Sequence, residues 1–344
     1  MNAAFRTPRA LADAGLIAPD RLPELEQVAA RYAVAVTPAL GALIDPCDDA
    51  DPIGRQLLPS AEELVEGPGE RADPIGDAAH TPAKGVVHRY PDRVLLKPTH
   101  TCAVYCRFCF RREVVGPEGD GTLTARELDT AMAYVAGRPE IWEVIVTGGD
   151  PLVLSPRRLR DLTTRLAEIE HVRVVRFHTR LPVAAPQEIT PELVEALRSG
   201  DKATYVALHA NHARELTPDA RAACARIVDA GIPMVSQTVL LRGVNDDPEV
   251  LGALMRAFVE SRIKPYYLHQ ADLAPGTSHF RLSIAEGQAV VGALRGRASG
   301  LCQPTYVLDI PGGFGKVPIG PAYLERRELG LCISDPWGGV HDLA

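Results

Sequence analysis

From about residue 94 onward the chain alternates short apolar or β-branched runs with segments that carry helix-start signals, and this alternation limits the fold more than any other feature. The runs are "RVLLK" (93–97), "WEVIVTGG" (142–149), "VRVVRFHT" (172–179), "ATYVALHA" (203–210), "PMVSQTVLL" (233–241) and "KPYYLHQ" (264–270). Each has the length and composition of a strand buried on both faces. Between them, Thr124 with Glu127 and Ser283 with Glu286 form capping-box patterns, while Ser155-Pro156, Thr190-Pro191, Thr217-Pro218 and Asp247-Pro248 set a capping oxygen before a proline at the first helical position. Such alternation implies parallel strands with right-handed crossovers, either a doubly wound sheet or a full or partial (β/α) barrel. In both, ligands collect at the strand C-termini. Polar groups follow strand after strand ("HTR", "HANH", "RGVND") rather than standing at one switch point, which favours the barrel.

Seven cysteines occur: Cys47, Cys102, Cys106, Cys109, Cys224, Cys302 and Cys332. An odd number, behind an N-terminus with no continuous apolar run, argues against a disulfide framework and a secretory signal, so reduced thiols and a cytoplasmic location are expected. No apolar run is long enough to span a bilayer. A net charge of −7 argues against a phosphate-tracking nucleic-acid surface. Cys102, Cys106 and Cys109 form the one constellation; the isolated four read as small hydrophobes. A structural tetrahedral zinc site wants four closed ligands. A bacterial ferredoxin run would add a fourth cysteine followed by proline. Three thiolates on an iron–sulfur cluster would leave one iron free for a substrate or cofactor; chance clustering of buried thiols is the plain alternative.

The C-x3-C-x2-C motif, with Phe108 just before its last cysteine on the loop after the first barrel strand, resembles the radical S-adenosylmethionine (SAM) superfamily. The resemblance implies a 4Fe-4S cluster on Cys102, Cys106 and Cys109, whose open iron chelates SAM and cleaves it to a 5′-deoxyadenosyl radical. "TGGDP" after the second strand resembles the superfamily's glycine-rich element, with Gly148 and Gly149 allowing backbone approach to the SAM amino group and Asp150 closing the turn. "GGDP" within it is also an ordinary turn.

"VLDIPGGFGKVPIG" (307–320) is not a phosphate-binding P-loop, because Val317-Pro318 follows Lys316. No G-x-G-x-x-G opens a helix after the first strand, so a nicotinamide site has no support. A lysine behind flexible glycines suits Schiff-base chemistry, and a solvated loop lysine is equally compatible with the loop alone. Together with "HRYPDRVLL", "CAVYCRFCFRR", "GGDPL", "QTVLLRGVND" and "DLAPGTSHFR", however, the loop stands in the order and spacing that resemble the lysine 2,3-aminomutase family, from roughly residue 45 to 320. That family joins radical SAM chemistry to pyridoxal 5′-phosphate (PLP).

The resemblance implies that Lys316 carries PLP covalently and that Arg89 and Arg93 stand near its phosphate, although either arginine alone reads as well as a salt-bridge partner. It implies that Arg111 pairs with the substrate α-carboxylate, that Asp272 and Asp309 hold the ε-ammonium of L-lysine, and that His209 and Gln237 line the SAM site. Two acids aimed at one desolvated ammonium make electrostatic sense, and relatives directed at glutamate are expected to lack them. The expected activity is thus an isomerase that shifts the 2-amino group of L-lysine to carbon 3, SAM being regenerated. A reducing electron donor and a homo-oligomer are expected; nucleic-acid and membrane partners are not. Cys332 is the only cysteine of the last stretch, "CISDPWGGVHDLA" (332–344), so structural zinc is not expected. The short form resembles the branch that makes (R)-β-lysine for elongation factor P. Alternatives are a 2,3-aminomutase of arginine or glutamate, or a non-catalytic iron–sulfur sensor. The expected fold is α/β, a partial (β/α)6 barrel of the radical SAM type, with 1–90 a helical or irregular extension, 91–285 the barrel and 286–344 a C-terminal segment carrying the PLP lysine.

Overall fold

The computed structural model describes residues 4–116, 121–327 and 330–343. Strands β1 (Val86–Tyr90) and β2 (Arg93–Thr99) form an antiparallel hairpin around Pro91-Asp92. Five of the anticipated runs then add in parallel and in chain order: β3 (Glu143–Gly148), β4 (Val174–Thr179), β5 (Ala203–His209), β6 (Met234–Leu240) and β7 (Ile263–Gln270). A seventh parallel strand, β8 (Thr305–Asp309), follows, and β9 (Lys316–Pro318) turns back antiparallel to it. The result is one nine-stranded sheet in sequential order, curled into a half-barrel. A separate three-stranded sheet closes the described chain: β10 (Leu324–Arg327), β11 (Gly330–Ser334) and β12 (Val340–Leu343).

Four short helices precede the sheet: α1 (Pro8–Asp13), α2 (Leu22–Arg31), α3 (Pro38–Gly41) and α4 (Pro52–Leu57). Seven more connect or follow the parallel strands: α5 (Ala125–Ala136), α6 (Pro156–Ala167), α7 (Leu181–Ala184), α8 (Pro191–Ala196), α9 (Pro218–Asp229), α10 (Pro248–Glu260) and α11 (Ile284–Gly292). The capping signals act as read. Thr124 and Ser283 complete capping boxes with Glu127 and Glu286, and the side chains of Ser155, Thr190, Thr217 and Asp247 each accept a first-turn N–H. Each such cap contributes about 1 kcal/mol and fixes where the helix begins.

One buried cluster joins the N-terminal helices to the barrel: Leu11, Leu25, Val36 and Leu40 share it with Val94, Val144, Phe177, Leu208 and Leu268 of the strands and with Leu159 and Leu254 of the helices. Residues 4–45 therefore pack on the barrel. With helices outside and this core between, the inner face and the strand C-termini are left for a ligand. Among the described residues no helix is long and apolar enough to cross a membrane.

Candidate active site

The loop after β2 carries Cys102, Cys106 and Cys109, and it is clamped from below by the N-terminal extension. Ser60 starts a short turn whose Glu63 is fully buried. Arg107, between the second and third cysteines, donates to Glu63 through Nε at 2.9 Å and Nη2 at 2.5 Å, and Arg112 donates to the same carboxylate. Arg107 also reaches the Ala33 carbonyl at 2.8 Å, and the Arg112 guanidinium lies 3.5 Å from the Tyr32 ring centroid. Burial opposes the charge on Glu63, but the two guanidinium groups hold its carboxyl below the usual range. A buried carboxylate shared by two arginines fixes the loop on both sides of Cys109.

All three thiols line a cavity of about 550 Å³. Burial lifts the Cys102 thiol well above its ordinary value, with the charge of Asp150 and the other two cysteines adding to it; burial and Cys106 lift Cys109 to about 11. Three thiolates here are costly without a compensating cation. Arg180 supplies part of one, donating from Nη1 to Cys106 Sγ at 2.8 Å, while Glu215 and Gln56 hold its other nitrogen at 2.6 and 2.8 Å. Among the described residues no three His, Cys, Asp or Glu groups converge on a single metal ion. Thiolates that bind separate irons of one cluster need not converge, so the donor set fits an iron–sulfur cluster better than a mononuclear site.

Gly148 and Gly149 end β3 against the cysteine loop. A Cβ on Gly148 (φ +109°) would lie 2.5 Å from the Thr99 carbonyl oxygen, and one on Gly149 would meet the Thr101 oxygen and lie 2.7 Å from the His100 carbonyl carbon. Their first role is thus to let β3 approach this chain's own backbone, tied by Gly149 N–H to Thr99 at 2.7 Å and Asp150 N–H to Thr101 at 3.0 Å. Asp150 does more than close a turn. Its buried carboxylate accepts from Thr179 Oγ1 at 2.7 Å, Arg180 N–H at 2.8 Å and Leu152 N–H at 3.0 Å, joining the ends of β3 and β4.

His209, the last residue of β5, is the register partner of Gln237 midway along β6, and both line the cavity. The His209 ring stacks on Phe108, centroids 5.6 Å apart at 15°. His178 on β4 joins them, a residue the sequence reading left inside "HTR". Burial drives both imidazoles well below their ordinary value, with Arg180 adding to it at His209 and Arg176 and Arg111 at His178. The Nε2 atom of each is buried without a hydrogen-bond partner. Leaving such an atom unpaired costs about 1–3 kcal/mol, which a ligand in the cavity can recover. The polar groups after β5 and β6 serve the fold instead: Asn211 accepts from Val239 N–H at 2.9 Å, and Asn245 donates to the Asn211 carbonyl at 2.9 Å.

At the far wall β8 and β9 place Asp309 opposite Lys316. Lys316 Nζ donates to Asp309 Oδ2 and lies 3.2 Å from His269 Nδ1. Burial opposes the charge on Asp309, yet His269 and Lys316 hold its carboxyl far below the usual range. Asp272, on the loop after β7, is pushed up to about 7, by burial first and then by the charge of Asp309. Asp77, which the sequence reading did not single out, gathers the cations: Arg89 at 3.0 Å, Arg111 at 3.1 Å and Lys97 at 3.9 Å. Burial works against its charge, and those three cations, Arg111 foremost, keep it ionised. Arg93 pairs with Asp92 at 2.6 Å and stands 3.8 Å over the Tyr90 ring. Arg89, Arg93, Arg111, Asp272, Asp309 and Lys316 all face the cavity that the cysteines line.

The glycines before Lys316 were read as flexible. Gly312, Gly313 and Gly315 have φ of +94°, +88° and +99°, and a Cβ on Gly313 would lie 2.7 Å from His80 Nε2. A Cβ on Gly76 would in turn lie 2.6 Å from the Gly312 carbonyl carbon. Close packing of this loop on the segment around Asp77, together with left-handed backbone, requires glycine there.

Residues 96–252 match the radical SAM superfamily and residues 291–329 match the lysine-2,3-aminomutase family. An L-lysine 2,3-aminomutase from Clostridium subterminale is 42% identical over 307 residues, which cover 89% of this chain and 73% of that protein. A putative L-lysine 2,3-aminomutase from Aquifex aeolicus is 42% identical over 89% of this chain and 84% of its own length. A glutamate 2,3-aminomutase from Clostridioides difficile is 36% identical over 92% of this chain and 74% of its own. Radical SAM membership brings a 4Fe-4S cluster and SAM as cofactors. The chain belongs to the lysine 2,3-aminomutase family, and is an isomerase of the radical SAM superfamily.

Proposed function

We propose that the enzyme converts L-lysine to β-lysine, with PLP carried on Lys316. The observation that carries this reading is that an alkylammonium already sits in the acidic pocket: Lys316 Nζ donates to Asp309 beside Asp272. The end of a substrate lysine is the same chemical group. When Lys316 Nζ turns away from Asp309 to join a cofactor, the freed carboxylate is suited to the substrate ε-ammonium. A glutamate side chain would bring a third carboxylate to Asp272 and Asp309, so the pocket disfavours it.

The residues fit the cofactors. The buried, unpartnered Nε atoms of Arg89 and Arg111, with Arg93 beside them on the wall, suit anionic groups of PLP and substrate. The unpartnered Nε2 atoms of His178 and His209 suit polar groups of SAM or PLP. When bound, the cluster and SAM supply a carbon radical that takes a hydrogen atom, and PLP supplies the π-system across which the amino group moves. This chain's part is placement. Arg111, on the cysteine loop itself, holds the α-carboxylate next to the cluster, while Asp309 and Asp272 hold the other end of the substrate. Phe108 and the strand side chains keep water from the space between.

The product is proposed to be the R enantiomer, used on elongation factor P, as the sequence resemblance implies. The deciding experiment is anaerobic reconstitution with iron, sulfide, SAM, PLP and a reductant, followed by chiral analysis of products from lysine, arginine and glutamate. β-Lysine from lysine is expected. Turnover of arginine or glutamate with none of lysine overturns the substrate, and an S product overturns the stereochemistry.

A further inference from the structure

An ammonium cannot attack an aldehyde, so the lysine that captures PLP must first give up a proton to a neighbouring base. His269, on β7, stands at that position. Its Nδ1 lies 3.2 Å from Lys316 Nζ and 3.5 Å from Asp309 Oδ2. We propose that His269 is the proton acceptor for Lys316, with Asp309 balancing the imidazolium that forms. The proposal rests on Lys316 being the PLP lysine.

The surroundings favour this exchange. The groups that face His269 are Lys316 and Asp309 from β9 and β8, His178 and His209 from β4 and β5, and Tyr267 edge-on with ring centroids 5.7 Å apart, while Asp272, from the loop after β7, lines the same cavity. His178 and His209 are held neutral by burial and add no positive charge. Burial first, and then the charge of Lys316, pull His269 below its ordinary value against the opposing pull of Asp309. In the resting protein these effects favour the neutral ring, and in its Nε2-protonated tautomer the Nδ1 lone pair accepts from Lys316. The charge that depresses the imidazole is the charge the transfer removes. After the proton moves, Asp309 remains as the neighbour that stabilises the imidazolium, while the carboxylate itself, held far below the usual range, is too weak a base for the task.

The exchange balances. Two Nζ–H bonds break in turn: the first proton passes to His269 Nδ1, which frees the nitrogen lone pair to attack the aldehyde carbon and then returns that proton to the carbonyl oxygen; the second passes from the added nitrogen to the same oxygen, which leaves with both as water as the carbon–nitrogen double bond forms. One ammonium and one aldehyde give one protonated imine and one water, with no oxidant or reductant.

The test follows PLP capture by the PLP-free full-length chain across pH, through the visible absorbance of lysine-bound PLP, with borohydride reduction and mass spectrometry locating the adduct. The His269→Ala variant is expected to capture PLP more slowly near neutral pH, on the order of a hundredfold, the low end of what a positioned base supplies. The deficit should shrink at high pH, and added imidazole should restore part of the rate. A folded His269→Ala chain with an unchanged rate and pH profile overturns the proposal, as does a slow variant that imidazole does not rescue. Should His269→Ala fail to give a cooperative melt, His269→Gln, similar in size and without a basic nitrogen, carries the same comparison of rate and pH profile. Absence of a Lys316-dependent adduct in the unaltered chain is a different failure: it removes the reading of Lys316 itself, and the proposal with it.

Discussion

Asp309 and Lys316 are register partners across the antiparallel β8–β9 pair, and the lysine ammonium donates to the aspartate carboxylate. Backbone pairing thus presets the contact before any ligand arrives. It also gives Asp309 two successive partners, its own lysine and then the substrate's. Replacing Asp309 by Asn removes the charge from both. Truncating one side of a buried charge pair costs about 2–5 kcal/mol, so the KM for L-lysine is expected to rise by at least about tenfold. Steady-state kinetics of the reconstituted enzyme measure it, and an unchanged KM rules out contact between Asp309 and the ammonium.

Asp272 makes lysine binding depend on pH. Its pKa of about 7 comes from burial and from the neighbouring charge of Asp309. An acid whose pKa is higher in the folded than in the unfolded state favours folding where both states keep the proton, below about pH 4, and loses that contribution as pH rises through 7. In the ligand-free protein Asp272→Asn is therefore expected to gain stability over the unaltered chain at pH 8 and little at pH 4, as melting temperatures will show. Lysine has the opposite demand, because its ammonium pairs with the ionised form. Affinity should fall about tenfold per unit as pH drops below 7, and Asp272→Asn should flatten that slope in an equilibrium titration.

Much of this was legible because it is local. Strands β2 to β7 show in runs of five to nine residues, the helix starts show in Ser, Thr or Asp before proline, and the three cysteines stand within eight positions. What was missed is non-local. β9 is three residues long, "KVP", and has no periodicity to read; only its pairing with β8 makes it a strand and brings Lys316 to Asp309. Asp77 looks like any loop acid in "DPIGD" until β1, β2 and the cysteine loop bring Arg89, Lys97 and Arg111 around it. His269 sits in an alternating strand where a histidine is commonly structural, and its meaning depends on two residues some forty positions later. The glycines near Lys316 were attributed to motion because the segment they pack against is more than 200 residues away in the chain.

Glu63 is expected to govern cluster assembly from outside the cavity. It is fully buried between Arg107 and Arg112, and removing its charge leaves two guanidinium groups without their partner. Loss of one member of a buried ion network costs about 3–5 kcal/mol. Glu63→Gln is therefore expected to lower the melting temperature and to bind less iron on reconstitution, since both arginines flank Cys109. Normal iron content in a destabilised variant would separate the clamp from the cluster.

Gly149→Ala distinguishes the chain's own packing from contact with SAM. The added methyl carbon would meet the backbone of the cysteine loop, 2.7 Å from the His100 carbonyl carbon, and backbone atoms cannot rotate aside as a long side chain can. Forced overpacking of this kind costs typically about 1–3 kcal/mol and displaces whichever segment is less firmly held. Glu63 and its arginines anchor the loop from below, so the strain falls on the end of β3 and on Asp150. The expected outcome is a lower melting temperature already in the cluster-free, SAM-free chain. Gly231→Ala is the control: its φ is +80° but nothing lies within 4 Å of the added carbon, so only the backbone term, about 1 kcal/mol, applies there. If Gly149→Ala melts like the unaltered chain and loses only SAM binding, the glycine serves the cofactor and not the approach of β3 to the loop.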